Sequence, residues 1–157
     1  DLGGIGKGIA LDGVVQLMVG EKITCAFLSF GESSIAVIGS HPASQPWPVG
    51  VSDLFERGKS WHRFELRDSA MSTSGNRRIE GHIVNPEDGS LLVGHRTMSV
   101  ACPSATDAEV LSKSLLLTPA PDRDHLLQQY PQTQAVEIGY ETGNKGWVGK
   151  VEWKYEP

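Results

Sequence analysis

Eight residues, Asp1-Leu2-Gly3-Gly4-Ile5-Gly6-Lys7-Gly8, hold four glycines together with an acid and a base. The glycines leave the backbone nearly bare, and a pattern of helical character follows over residues 9–18. A glycine-rich turn that opens a helix offers unpaired amides at the positive end of the helix dipole, which suits an anion such as a phosphate. Two common phosphate loops are excluded. The P-loop needs Ser or Thr after Gly-Lys, and here Gly8 follows Lys7; the dinucleotide fingerprint needs Gly at position 9, which is Ile. The competing structural reading is a tight connection whose glycines permit close packing.

Other reactive residue types are less organised. Cys25 and Cys102 lie in strand-like apolar runs without C-x-x-C spacing and read as two small buried hydrophobes. His41, His62, His95 and His125 have no metal-ligand spacing, and no G-x-S-x-G nucleophile elbow occurs. A net charge of -5 argues against a nucleic-acid binder, and no apolar run approaches the roughly 20 residues of a membrane span. With 39% hydrophobic and 21% charged residues, the 157-residue chain has the composition of one globular domain with a real core.

The elements that must position these residues are predicted from periodicity. Strands are expected over residues 24–30, 34–38, 49–51, 61–67, 82–84 and 96–102. Residues 69–75, small and polar, read as a candidate site loop, and residues 85–89 as a turn. Thr106 to Glu109 reads as a capping box that opens a helix running to about Leu117. A second helix is expected over residues 122–129 between Pro121 and Pro131, then a closing hairpin of residues 135–140 and 147–153. This order predicts an α+β fold across residues 1–157, with no internal repeat and no linker.

Three motifs in order carry a resemblance. The N-terminal octet, then Ser69-Ala70-Met71-Ser72-Thr73-Ser74-Gly75-Asn76, then His82-Ile83-Val84-Asn85-Pro86-Glu87-Asp88-Gly89 together resemble the ApbE family of flavin transferases. That family reads D-L-G-G-I-A-K-G, S-A-V-S-T-S-G-N and H-I-I-D-P-x-T-G. The resemblance implies a T-fold-like core, an antiparallel sheet packed against helices. It implies transfer of FMN from FAD to a threonine hydroxyl of a target protein with release of AMP, or hydrolysis of FAD to FMN and AMP, with magnesium on the pyrophosphate. By the same resemblance Asp1 and Lys7 contact FAD, Ser72 and Thr73 (with Ser74) form a polar wall, and Val84 lines the cleft. The Gly4 carbonyl and Glu109 are metal ligands, and His82 accepts the threonine proton. The four tryptophans could stack on a flavin but read as core or rim. The family's usual N-terminal half is expected as a partner of this chain, which looks like the C-terminal half. A periplasmic or cell-surface location, through a lipid anchor outside this chain, follows from the resemblance alone.

Three departures modify this expectation. The family's helical A-D-A-L-x-T-A becomes Ala108-Glu109-Val110-Leu111-Ser112-Lys113-Ser114. Glu109 keeps a carboxylate, but Lys113 stands where threonine would ligate the cation from the same helical face. An ammonium donates and cannot ligate. The metal site is therefore expected to be weakened, rebuilt or lost, with a Lys113–Glu109 ion pair as one way to fill it. The G-G-D turn becomes Phe30-Gly31-Glu32, and Asn85 replaces an aspartate near His82, which lowers the basicity expected of that histidine. A family member that binds flavin nucleotide without turning it over is the alternative.

Overall fold

The computed structural model describes residues 2–43, 45–76, 83–144 and 146–157. Its centre is a six-stranded antiparallel sheet with the order β1-β2-β5-β6-β7-β8. The strands are β1 (Ala26–Phe30), β2 (Ser34–Ile38), β5 (Ser69–Gly75), β6 (His95–Cys102), β7 (Gln134–Gly143) and β8 (Gly146–Tyr155). A separate hairpin, β3 (Trp47–Ser52) with β4 (Ser60–Leu66), covers one face. Its Val49, Val51, Phe64 and Leu66 pack on Ile35, Val37, Met71, Val136 and Ile138. Helices α1 (Gly6–Gly20), α2 (Ala105–Leu117) and α3 (Ala120–Leu127) cover the other. There Leu111, Leu115, Leu116 and Leu127 pack on Met98, Val100 and Ala135, while Leu11 joins Ala36 and Ala70. The result is the expected α+β arrangement, an antiparallel sheet against helices.

Two local expectations are corrected. Residues 69–75 are not a loop but a central strand, paired on both sides by β2 and β6. Their low hydrophobicity hid this. A ladder is made by backbone groups, and small side chains suffice where a helix lies close over the sheet. The second correction concerns α2. Its N-cap is Ser104, whose Oγ accepts from Asp107 N, and Glu109 does not turn back to close a capping box. Smaller differences are shifts of bounds: α1 begins three residues early, which puts Lys7 in its first turn, and α3 begins at Ala120 with Pro121 inside its first turn. Cys25 is exposed, against expectation, because it precedes β1 rather than lying within a strand; Cys102 is buried as expected.

α1 and α2 cap each other. Asp12 of α1 accepts from Ala105 N at 2.8 Å, Thr106 N at 3.0 Å, Thr106 Oγ1 at 2.6 Å and Ser104 Oγ at 3.0 Å. These donors outweigh burial and hold the Asp12 carboxyl below its ordinary range. Glu109 of α2 returns the arrangement, accepting from Gly8 N in the first turn of α1 at 2.5 Å. Each acid thus meets orphan amides at the positive end of the neighbouring helix. Contact this close requires glycine at position 8, where a Cβ would stand 2.6 Å from Ala105 O and Thr106 Cα. Among the described residues no helix is long and apolar enough to cross a membrane.

Candidate functional site

The densest polar constellation lies where the N-terminal turn meets α2. Glu109 is fully buried and both of its oxygens are engaged. Oε1 accepts from Lys7 Nζ at 2.6 Å and lies 3.4 Å from Lys113 Nζ; Oε2 accepts from Gly8 N. Lys113 Nζ also donates to the Glu109 carbonyl oxygen at 3.2 Å. Both lysine side chains remain partly open to solvent, at 31% for Lys7 and 30% for Lys113. Burial works against the Glu109 charge, but Lys7, Gly8 and Lys113 outweigh it and hold its carboxyl below the ordinary value of 4.5. Lys113 moves the opposite way from a normal ion-paired lysine. Burial, joined by the charge of Lys7, lowers it despite Glu109.

Two bare turns flank the lysines. A Cβ on Gly4 would touch the Lys113 stem at 3.7 Å, and Gly31, at φ +64°, turns beside the Lys7 stem. Three of the N-terminal amides are not the free donors expected of the glycine motif. Ile5 N and Gly6 N donate to Leu2 O, and Gly8 N is held by Glu109. The positive charge available here comes from the two ammonium groups.

The structure thus gathers Lys7, Gly4 and Glu109. Ser72 approaches from β5 on the same face, 3.5 Å from Ser112 Oγ; Ser112 Oγ donates to the Glu109 carbonyl oxygen at 2.9 Å and lies 2.7 Å from Ser74 Oγ, which is then the donor of that pair. These hydroxyls seam the strand to α2. Thr73 points to the opposite face of the sheet, as strand alternation requires, and pairs with Ser99 Oγ at 2.8 Å. The polar wall expected of Ser72 and Thr73 together is therefore divided between two faces. Val84 is half exposed on a short bridge to Leu91. Its segment is pinned by the Asn76 amide, which donates to Leu92 O at 2.7 Å and to Gly94 O at 3.2 Å. Asp1 and His82 lie outside the described residues.

The residues present do not fit the magnesium ion expected at Gly4 and Glu109. Both Glu109 oxygens already accept from cationic or amide donors, and the helical neighbour at i+4 is an ammonium. A dication within ~4 Å of that ammonium would meet repulsion of about 8 kcal/mol at an effective dielectric of ~20. Among the described residues no cluster of three His, Cys, Asp or Glu side chains could hold a metal.

A roomier groove of about 610 Å³ lies across the molecule, between the α2–α3 connection and strands β6 to β8. Of the three acids that line it, the buried one, Glu137, is clamped by Arg123 at 2.6 Å and Arg96 at 3.3 Å. Both of its oxygens are satisfied, so this is a tertiary tie.

Sequence reasoning missed Asp12 and Ser112. Each had a signal, a lone short polar residue on an otherwise apolar helical face (Leu11 and Val15 beside Asp12; Ala108, Leu111 and Leu115 beside Ser112).

A profile of the ApbE family matches residues 1–137. The chain belongs to the ApbE family. A FAD:protein FMN transferase of Treponema pallidum (strain Nichols) is 28% identical over 157 residues, covering 88% of this chain and 43% of that protein. One from Salmonella typhimurium is 27% identical over 128 residues, covering 74% of this chain and 36% of that protein. The fold matches the flavin transferase ApbE of Vibrio cholerae with a TM-score of 0.72 at 21% identity, over 96% of this chain and 50% of the other. It matches the ApbE protein of Thermotoga maritima at 0.74 and 23%, with the same coverages. The chain therefore spans half or less of the length of these relatives.

Proposed function

We propose that this chain is part of a flavin transferase that moves FMN from FAD to a threonine hydroxyl of a target protein, releasing AMP, or that hydrolyses FAD to FMN and AMP. The observation that carries the reading is the ApbE match over residues 1–137, in a chain whose N-terminal turn brings Lys7 to an acid 102 residues away. In this reading the threonine oxygen bonds to the FMN phosphorus as the bond from that phosphorus to the bridging oxygen breaks. AMP leaves with the bridging oxygen, and the hydroxyl proton passes to His82. Negative charge on the non-bridging oxygens is met by Lys7 and Lys113. Asp1 holds the adenosine part, Ser72 contributes a polar group on the face of the lysines while Thr73 lies on the other face of the sheet, and Val84 lines the cleft. No step is assigned to magnesium, because Gly4 and Glu109 lack the companions a cation needs.

The rest of the cleft would come from the half of the protein that the relatives possess beyond this chain. The surface of α1 supports this: Ile9, Val14, Leu17 and Val19 are exposed on a helix that buries only Gly8 and Leu11. We further propose a periplasmic or cell-surface location for the working protein, which cell fractionation would test.

The decisive experiment incubates the protein with FAD and a threonine-bearing acceptor, reading AMP release and covalent flavin on the acceptor. AMP and labelled acceptor are expected, with both lost in His82→Gln while FAD binding persists. Flavin fluorescence quenching without AMP would favour the second reading, a flavin-nucleotide-binding member that has lost turnover, to which Lys113 lends weight. Neither quenching nor AMP, even with the complementary half supplied, would defeat both.

A further inference from the structure

We propose that Lys7 and Lys113, anchored together on the Glu109 carboxylate, form a built-in cationic site that takes a diphosphate without a divalent metal ion. Among the described residues, the charges acting on Lys113 are Glu109 and Lys7, and those acting on Glu109 are the two lysines. Two ammonium groups against one carboxylate leave an excess of positive charge. Each lysine side chain keeps about a third of its surface open, and the carboxylate that holds both is fully buried. The acid is thus a floor that fixes two partly exposed lysines. The turns at Gly4 and Gly31 lie against the two lysine stems, so no side chain of their own stands between those turns and the lysines. The position that would need to offer oxygen to a metal offers a fixed positive charge instead, which neutralises an anion directly and repels a competing dication. The ligand class is a diphosphate ester. Naming it as the diphosphate of FAD rests on the flavin reading above; the site itself rests on the lysine pair.

The test uses the chain with three probes: Mn²⁺ alone, inorganic pyrophosphate, and FAD. Paramagnetic titration of the unmodified protein should show no Mn²⁺ bound in the submillimolar range, while Lys113→Thr should gain a Mn²⁺ site. Pyrophosphate should raise the melting temperature equally in EDTA and in excess Mg²⁺. Lys113→Met should weaken pyrophosphate at least about tenfold, and Lys113→Arg should keep it within about threefold, consistent with loss and retention of one charge-assisted contact. The inference is overturned if the unmodified protein binds Mn²⁺ stoichiometrically, if pyrophosphate acts only with a metal, or if Lys113→Met binds it as well as the parent. Pyrophosphate binding without FAD binding, with the complementary half supplied, would defeat the flavin reading and leave this site standing. FAD binding that depends on Mg²⁺ would do the reverse.

Discussion

Replacing Glu109 by glutamine removes the charge under both lysines while keeping the side chain's shape. Three contacts change: Lys7 at 2.6 Å, Lys113 at 3.4 Å and the Gly8 amide at 2.5 Å. Stripping one partner from a wholly buried ion pair costs about 3–5 kcal/mol. Here both lysine side chains are partly open to water, so their share falls to about 1 kcal/mol. The Gly8 amide loses a charged acceptor, a further ~1–1.5 kcal/mol. The expected loss is therefore about 2 kcal/mol, or roughly 4–8 °C in melting temperature for a chain of this length. Urea denaturation at neutral pH measures it. A pH series supplies the sharper check. The Glu109 carboxyl is held below its ordinary value of 4.5 in the folded protein. Its contribution is complete above that value and is lost as pH falls through the lower, folded one. The gap between parent and Glu109→Gln should accordingly close in acid. A variant as stable as the parent at pH 7, or a gap that persists in strong acid, would refute the view of Glu109 as the ionised anchor of two lysines and a helix start.

Other perturbations probe the same helix pair and the thiols. Asp12→Ala removes four bonds at the start of α2 and should cost about 1–2 kcal/mol in urea titration, as for loss of a strong cap. Gly8→Ala forces a Cβ against the backbone of Ala105 and Thr106; overpacking here should destabilise by about 1–3 kcal/mol and weaken pyrophosphate binding by moving Lys7. Lys113→Met should leave stability unchanged or slightly raised, because the folded protein disfavours the charged form of that lysine. An aromatic disulfide reagent at pH 8 should modify Cys25 in the native protein and reach Cys102 only on denaturation, since Cys102 is buried and its thiol is pushed up to about 12.

Expectation and structure diverge for reasons visible in single residues. Residues 34–38, a run of Ser-Ile-Ala-Val-Ile, became β2 with the same bounds because an apolar β-branched run carries its own preference. Residues 69–75 carry none, and became a strand only because β2 and β6 lie on either side. The sequence could show Ser72 and Thr73 as neighbours. Once they lie in a strand, period-two alternation sends them to opposite faces, one toward Ser112 and the other toward Ser99. A Thr-x-x-Glu spacing is a local signal and suggests a cap at Glu109, and the Lys113 pair is equally local, yet the two shortest contacts of Glu109, with Lys7 and Gly8, come from about a hundred residues away.

The order of elements, the α+β class, the glycine-rich start and the ammonium at position 113 were all written in the chain itself, because they depend on residue type and short-range period. The tertiary structure alone decided what those residues do together. It buried Glu109 under α1, spent the Gly8 amide on that carboxylate, and set Lys7 and Lys113 side by side. That outcome turns on how closely α1 can approach α2, a distance set by the missing Cβ of Gly8 and by two acids that each cap the other's helix.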